Sequence, residues 1–362
     1  MAWTVVSIPD FLNFDTRFPE PGWEDALGYV LDEIAEENPD FVLVPGDLVM
    51  GHWLPQFGGI SQWADVYYPA WKQRMDAHGL DYYATVGDHE IGDNPWPPAK
   101  AELVPEFKAA FRRHMEMPEN GPSDSKGTAF WFVHKRVLFV AVDVFESDGA
   151  QGIATRVSGE QLEWLGRVLS QHADADHVVV MGHTPVLAPA RKWTSSGLLT
   201  EGGAGSEFWQ LMSRHDVDLY LAGEFHDVTC HRADGIQQVV HGGLFGYNDR
   251  INYLLLSFTP NRIELELKAL DIALSGGHLW QVGLPRTARP REFVSIDPER
   301  REQGFASIGT LVIDKAGEAK RFVGETGIFA PEANTAEAIA NDNAKHWLLL
   351  KAAEREAEAR RR

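Results

Sequence analysis

Apolar and polar positions follow two rhythms along most of the chain. Short, nearly continuous apolar runs recur as WTVVSI (3–8), FVLVPGD (41–47), DYYATVGD (81–88), KRVLFVAVDVF (135–145), DHVVVMGH (176–183) and VDLYLAGEFH (217–226). Runs of this kind, rich in β-branched and aromatic residues, mark strands covered on both faces. Between them lie stretches of helical period. GWEDALGYVLDEIAEENP (22–39) sets Trp23, Leu27, Val30, Leu31 and Ile34 on one stripe, and Asn38-Pro39 ends it. WADVYYPAWKQRMDAHGL (63–80) predicts a helix broken or kinked at Pro69. RVSGEQLEWLGRVLSQH (156–172) opens on Ser158 and Gln161, spaced as a capping box, and SEFWQLMSRH (206–215) is a further helix. GIQQVVHGG (235–243), INYLLLSFT (251–259) and RIELELKAL (262–270) read as closing strands. The alternation predicts an α/β domain over residues 1–272, a layered sheet with helices on its faces.

The rhythm changes after residue 272. SGGHLWQVGLPRTARPREF (275–293) reads as a linker or wrapping arm, and GTLVIDKAGEAKRFVG (309–324) predicts a β-hairpin around Lys315–Gly317. The Ala/Glu/Arg-rich tail from Thr335 carries a helical period through Ile339, Trp347, Leu348 and Leu350. Residues 273–362 are therefore expected to form a C-terminal extension that caps the domain or pairs subunits into a homo-oligomer.

Charge narrows the choice of partner. The 362 residues include 53 acidic against 33 basic, a net charge of −20. That balance argues against a broad basic surface for nucleic acid or an anionic membrane. One cysteine, Cys230, allows no intramolecular disulfide. No apolar run approaches the ~20 residues needed to span a bilayer. The N-terminal MAWTVVSIPD reads as a first strand rather than a targeting segment, so a cytoplasmic location is expected.

Ionisable residues are concentrated where the apolar runs stop. Asp10, Asp47 (PGDLV), Asp88 and His89 (VGDHE), His183 (MGHTP), and Glu224 and His226 (AGEFH) all fall at or just past the predicted C-terminal ends of strands. Taken singly, Asp47 reads equally as a turn or N-cap aspartate and His183 as a satisfied core histidine. Together they lie at the edge of an open α/β sheet where ligands bind. A dry, unpaired cluster of this composition would repel itself and resist ionisation; divalent cations resolve the conflict. Arg17 and His52 lie on loops that reach the same edge and are candidate substrate contacts. Arg191 and Lys192 in ARKWTSS (190–196) are further candidates, on a lid loop.

The ordered set resembles the calcineurin-like metallophosphoesterase superfamily, which includes purple acid phosphatases and bacterial phosphodiesterases. That family carries D-x-H, GD, GNH-[DE], an apolar strand ending in His, and GH-x-H. The matching stretches are PDFLN (9–13), PGDLV (45–49), VGDHE (86–90), VVVMGH (178–183) and AGEFH (222–226). The resemblance implies a four-layer α/β/β/α sandwich and a dinuclear site with Asp10, Asn13, Asp47, Asp88, His183, Glu224 and His226 as ligands, Asp47 bridging. Three positions depart from the pattern. Leu12 stands where histidine is usual, with Asn13 or Asp15 as the substitute; Asp88 replaces asparagine; Glu224 replaces the leading histidine of GH-x-H. The second cation would then meet Asp47, Asp88, His183 and Glu224, a hard set that favours Mn, Fe or Mg, with Zn also acceptable.

The resemblance further implies hydrolysis of a phosphomonoester or phosphodiester by a hydroxide bridging the two cations. In that scheme His89 serves the leaving-group oxygen, and Glu90 stands behind to orient His89. The acidic balance favours a small soluble phosphoester. The alternative is a non-catalytic scaffold of the same fold with a decayed site, supported by the changes at positions 12, 88 and 224.

Overall fold

The computed structural model describes residues 2–11, 21–49, 51, 53, 59–149, 152–192, 195–244, 250–271, 273–274 and 294–361. Along the chain the first elements are β1 (Trp3–Ser7), α1 (Pro21–Glu36), β2 (Val42–Val44), α2 (Ile60–Ala77), β3 (Tyr82–Ala84), α3 (Pro98–Ala101), α4 (Val104–Met115), β4 (Phe130–His134) and β5 (Val137–Ala141). The short β6 (Phe145–Ser147) and β7 (Ile153–Thr155) precede α5 (Gly159–Gln171), β8 (His177–Met181), α6 (Glu207–Arg214), β9 (Leu219–Ala222), β10 (Thr229–Ala233) and β11 (Ile236–Val240). The chain continues through β12 (Arg250–Thr259), β13 (Arg262–Asp271), β14 (Ala273–Leu274), β15 (Val294–Ser295), α7 (Pro298–Gln303), β16 (Ala306–Asp314), β17 (Arg321–Val323) and α8 (Ala336–Arg361).

Two mixed sheets result. One has seven strands in the order β17-β16-β13-β12-β1-β2-β3, the other six in the order β10-β11-β9-β8-β5-β4. Within them β1, β2 and β3 are parallel, as are β5, β8, β9 and β11. Side chains alternate across each pleat, so one face of each sheet meets the other sheet and the opposite face meets helices. Tyr83 of β3 stacks on Phe132 of β4 with ring centroids 3.7 Å apart, and Phe139 of β5 lies 6.2 Å from Trp3 of β1 and 5.8 Å from Phe258 of β12. Tyr82, the next residue along β3, instead meets Trp71 of α2 at 4.8 Å. On the other sheet Phe208 and Trp209 of α6 pack on Tyr220 of β9. The architecture is the expected sandwich of helices, two sheets and helices.

One local expectation is narrowed and another corrected. Helix α2 runs unbroken through Pro69. Proline removes only the hydrogen bond to the Asp65 carbonyl, on the exposed side of the helix, while Ile60, Ala64, Tyr67, Tyr68, Trp71 and Met75 form a buried stripe that holds it. Ser158 and Gln161 do not form a capping box. The Ser158 hydroxyl donates to Glu146 at 2.6 Å, and the Gln161 amide pairs with the backbone of Asp143 at both ends. Glu146 takes both the hydroxyl and the backbone N–H of Ser158, each at 2.6 Å, and in that orientation the hydroxyl oxygen accepts from no helix-end N–H.

The extension joins the first sheet. β16 pairs antiparallel with β13 from Arg262↔Asp314 to Ala269↔Ala306, and the predicted hairpin around Lys315–Gly317 is the β16–β17 pair. Its turn delivers Lys315 and Lys320, each 3.2 Å from a carboxylate oxygen of buried Asp218. The arm expected over 275–293 lies outside the described residues.

Candidate metal centre

Asp10 follows β1, Asp47 follows β2, and Asp88 and His89 follow β3, at the C-terminal edge of three adjacent parallel strands. His183 follows β8, and Glu224 and His226 follow β9, at the corresponding edge of the facing sheet. Each segment leaves its strand through a sharp turn. Asp10, Asp47, Glu224 and His226 have φ of 60°, 57°, 73° and 59°, a left-handed conformation that non-glycine residues adopt at a cost and that concentrates at functional sites. The turns also pack too closely for side chains: a Cβ at Gly87 would sit 2.0 Å from Asp47 Oδ1, and one at Gly223 would sit 2.8 Å from Asp10 Oδ2. Glycine at these positions is therefore set by the approach of the carboxylates.

The side chains converge into overlapping groups. Asp10, Asp47 and His226 offer oxygen and nitrogen atoms all within 4.8 Å of one another; so do Asp88, His183 and Glu224, and so do Asp47, Asp88 and His89. His183 is the centre of one end. Its Nδ1–H donates to the Pro45 carbonyl at 2.8 Å, which turns Nε2 toward three carboxylates. From Nε2, Asp88 Oδ1 lies at 3.2 Å, Glu224 Oε2 at 3.4 Å and Asp47 Oδ2 at 3.5 Å. At the other end Asp10 Oδ1 accepts the Glu224 N–H at 3.1 Å, while its buried Oδ2 finds no hydrogen-bond partner among the described residues. His89 donates its backbone N–H to Asp47 Oδ1 at 3.2 Å, and its Nε2 lies 3.9 Å from Asp47 Oδ2. Its side chain is 14% exposed, whereas Asp10, Asp47, Asp88, His183 and Glu224 are buried.

Burial and crowding shape the electrostatics. Desolvation pushes the Asp10 carboxyl up to about 7, aided by the charges of Glu224 and Asp88. Asp47 is likewise pushed well above the usual carboxylate range, by burial first and then by Asp88. For His183 burial opposes the imidazolium, yet Asp47, Asp88, Glu224 and Asp10 together raise it well above an ordinary histidine. Burial also opposes the charge on Asp88, but His89, His183 and the Asn94 amide hold its carboxyl well below the usual range. The unpartnered Asp10 Oδ2, the Nε2 aimed at three carboxylates and the shared Asp47 are the donor set that divalent cations fit: hard oxygens, two or three imidazoles, and an excess of negative charge.

Of the residues expected from sequence, Asp10, Asp47, Asp88, His89, His183, Glu224 and His226 are brought together here. Asn13, Asp15, Arg17 and His52 lie outside the described residues. Glu90 does not orient His89. Its Oε2 accepts the N–H groups of Gly87 and Asp47, and its Oε1 those of Leu48 and Val49, so it clamps the turn that carries Asp47. Arg191 is not at a substrate edge either: it is buried and bonds to Asp342, Asn334 and the carbonyls of Val228 and Ala333. Sequence reading missed Asn94, whose amide donates to Asp88 Oδ2 at 2.8 Å, and Ser195 and Ser196, whose hydroxyls bond to Glu224. Serines and an asparagine in loops leave no local signal of that kind.

Comparison with known proteins agrees with this fold. No curated protein matches the sequence. Among solved structures, that of PhoD is similar with a TM-score of 0.57 at 13% identity, over 96% of this chain and 77% of PhoD. The purple acid phosphatase PPD1 from yellow lupin (Lupinus luteus) seeds gives 0.51 at 17% identity, over 74% of this chain and 51% of that one. Likeness at these identities speaks for the fold. The sequence model for calcineurin-like phosphoesterases matches residues 14–228, more than half of the chain. With that match, the paired mixed sheets and the buried Asp/His groups at their edge, the chain belongs to the calcineurin-like phosphoesterase family.

Proposed function

We propose that the protein is a cation-dependent phosphoesterase that hydrolyses a small phosphomonoester or phosphodiester. The observation that carries this reading is Asp47, which belongs both to the group with Asp10 and His226 and to the group with Asp88 and His89, while its Oδ2 lies 3.5 Å from His183 Nε2. Asp10, Asp47 and His226 would hold one cation; Asp47, Asp88, His183 and Glu224 would hold the other. When bound, the cations supply Lewis acidity toward the phosphoryl oxygens and activate the attacking water. Mn, Fe or Mg suits the carboxylate-rich set better than Zn.

The remaining work falls to the chain itself. Asp47 is held by Glu90 through its backbone N–H, which fixes its carboxylate between the two groups. His89 is the part-exposed member, with its backbone tied to Asp47 and its ring at the rim. It is suited to hand a proton to the leaving-group oxygen. The net charge of −20 favours a small phosphoester over nucleic acid as substrate.

The test is hydrolysis of p-nitrophenyl phosphate and bis(p-nitrophenyl) phosphate by protein loaded in turn with Mn²⁺, Fe²⁺ and Mg²⁺. Asp47→Asn should lower turnover at least a hundredfold, and His89→Ala should lower kcat by about 10²–10⁴, the usual worth of a positioned proton donor. Wild-type rates in Asp47→Asn would overturn the assignment. Absence of both cation binding and hydrolysis would return the chain to the scaffold reading.

A further inference from the structure

Glu224 occupies an unusual setting for a buried carboxylate. Its two oxygens have separate surroundings. Oε2 faces His183 Nε2 at 3.4 Å, inside the group with Asp88. Oε1 points the other way and accepts four donors from one short segment: the Ser196 hydroxyl at 2.6 Å, the Gly197 N–H at 2.8 Å, the Ser195 hydroxyl at 2.9 Å and the Leu198 N–H at 3.0 Å. Two successive backbone N–H groups converging on one oxygen form an anion-holding nest, and two hydroxyls complete it.

The segment is shaped for this contact. Gly197 has φ of +77°, which L side chains rarely adopt, and a Cβ there would come within 2.8 Å of Lys192 Nζ. That ammonium donates to the Ser196 carbonyl at 3.0 Å, and the Gly197 N–H also reaches Ser195 Oγ at 2.8 Å. The Lys192 backbone is in turn held by the extension: its N–H donates to Asn343 Oδ1 at 2.8 Å, and its carbonyl lies 3.2 Å from His346 Nδ1.

We infer that Ser195 and Ser196, with the backbone of Gly197 and Leu198, form a positioning cradle that fixes Glu224 as a one-oxygen ligand of the second cation. This rests on the dinuclear reading above. A glutamate has more rotatable bonds than a histidine and two equivalent oxygens. Left free, it can swing or chelate. Saturating Oε1 with four donors removes both freedoms and leaves Oε2 alone to face the cation. The cradle acts through Glu224 and touches no reacting atom.

The test is Mn²⁺ binding to the full chain by calorimetry, with electron paramagnetic resonance to separate single ions from spin-coupled pairs. Wild type should bind two equivalents and give a coupled-pair signal. Ser195→Ala/Ser196→Ala should weaken the second equivalent at least tenfold, replace the pair signal by that of single ions at stoichiometric Mn²⁺, and leave the first equivalent unchanged. Ser196→Thr, which keeps the hydroxyl, should restore pairing in the Ser195→Ala background. Should the double variant fail to fold, as judged by circular dichroism, Ser196→Ala alone carries the comparison and should weaken the second equivalent severalfold. Two equivalents bound with wild-type affinity by a folded Ser→Ala variant would overturn the cradle while the dinuclear reading stands. Fewer than two equivalents in wild type would overturn both.

Discussion

Asp10 and His183 both bind protons more tightly in the folded chain than when exposed to water. Asp10 moves from the ordinary 3.8 to about 7, and His183 moves well above 6.5. Groups raised in this way stabilise the fold below their ordinary value and lose that contribution as pH rises through the folded value. Asp47 has the same sign, whereas Asp88, held low, contributes above 3.8 and loses its share only as pH falls through its lowered value. The cation-free protein is therefore expected to lose stability steadily as pH rises from about 4 through 7. Cations compete with those protons, so a loaded protein should show a flatter profile, and Mn²⁺ should bind more tightly with rising pH and release protons. Melting temperature against pH, with EDTA and with Mn²⁺, measures this directly. Parallel profiles would show that Asp10 and His183 do not meet the cations.

At the level of the element, the turn after β2 owes its shape to a residue on another element. Glu90 collects four buried N–H groups from the turns after β2 and β3, which ties the two together and with them Asp47 and Asp88. Glu90→Gln would turn an amide NH₂ toward N–H donors on one side of this clamp. A loss of about 1–3 kcal/mol is expected, the usual consequence of leaving buried donors unsatisfied. Urea unfolding in EDTA measures it without interference from cations, and an unchanged midpoint would mean the clamp is dispensable. Helix α2 makes a similar point on a larger scale. Its buried aromatic face, Tyr67 and Tyr68 against Trp53 and Phe111, outweighs the single bond lost at Pro69.

Across the whole molecule, the extension is joined to the rest by the β13–β16 pairing and by buried polar contacts, two of which stand out. Lys315 and Lys320 meet buried Asp218, and Arg191 links the strand after His226 to Asp342, Asn334 and Ala333. The second contact lies beside the segment that cradles Glu224. Arg191→Met keeps the apolar stem but leaves the carbonyls of Val228 and Ala333 and the Asn334 amide oxygen without the guanidinium that donates to them, while Asp342 keeps Lys345 at 3.1 Å. It should destabilise the fold by about 1–3 kcal/mol, the usual consequence of leaving buried acceptors without a donor. Limited trypsin digestion should then release fragments of α8 earlier than in wild type. Unchanged digestion would show that the other contacts, β16 and the Asp218 pairs among them, hold the extension without Arg191.

The layered α/β architecture and most of the ionisable cluster are legible in the chain by itself. Parallel strands buried on both faces must be continuous apolar runs, and their ends are marked by the first residues that cannot be buried without a partner, so Asp10, Asp47, Asp88, His183, Glu224 and His226 announce themselves. The tertiary structure alone decides what surrounds them. Glu90 reaches Leu48 across 42 residues, Glu224 reaches Ser196 across 28, and Arg191 reaches Asp342 across 151. Sequence pattern encodes which face of a strand or helix is apolar, but not which polar group will be nearest once the sheets close. That is why Ser158 turned to Glu146 rather than to its own helix, and why Arg191 faces the extension. Hydrophobic periodicity is local and survives in the sequence. Hydrogen-bond partnership is set by distance in the folded chain, and only folding brings those groups within reach.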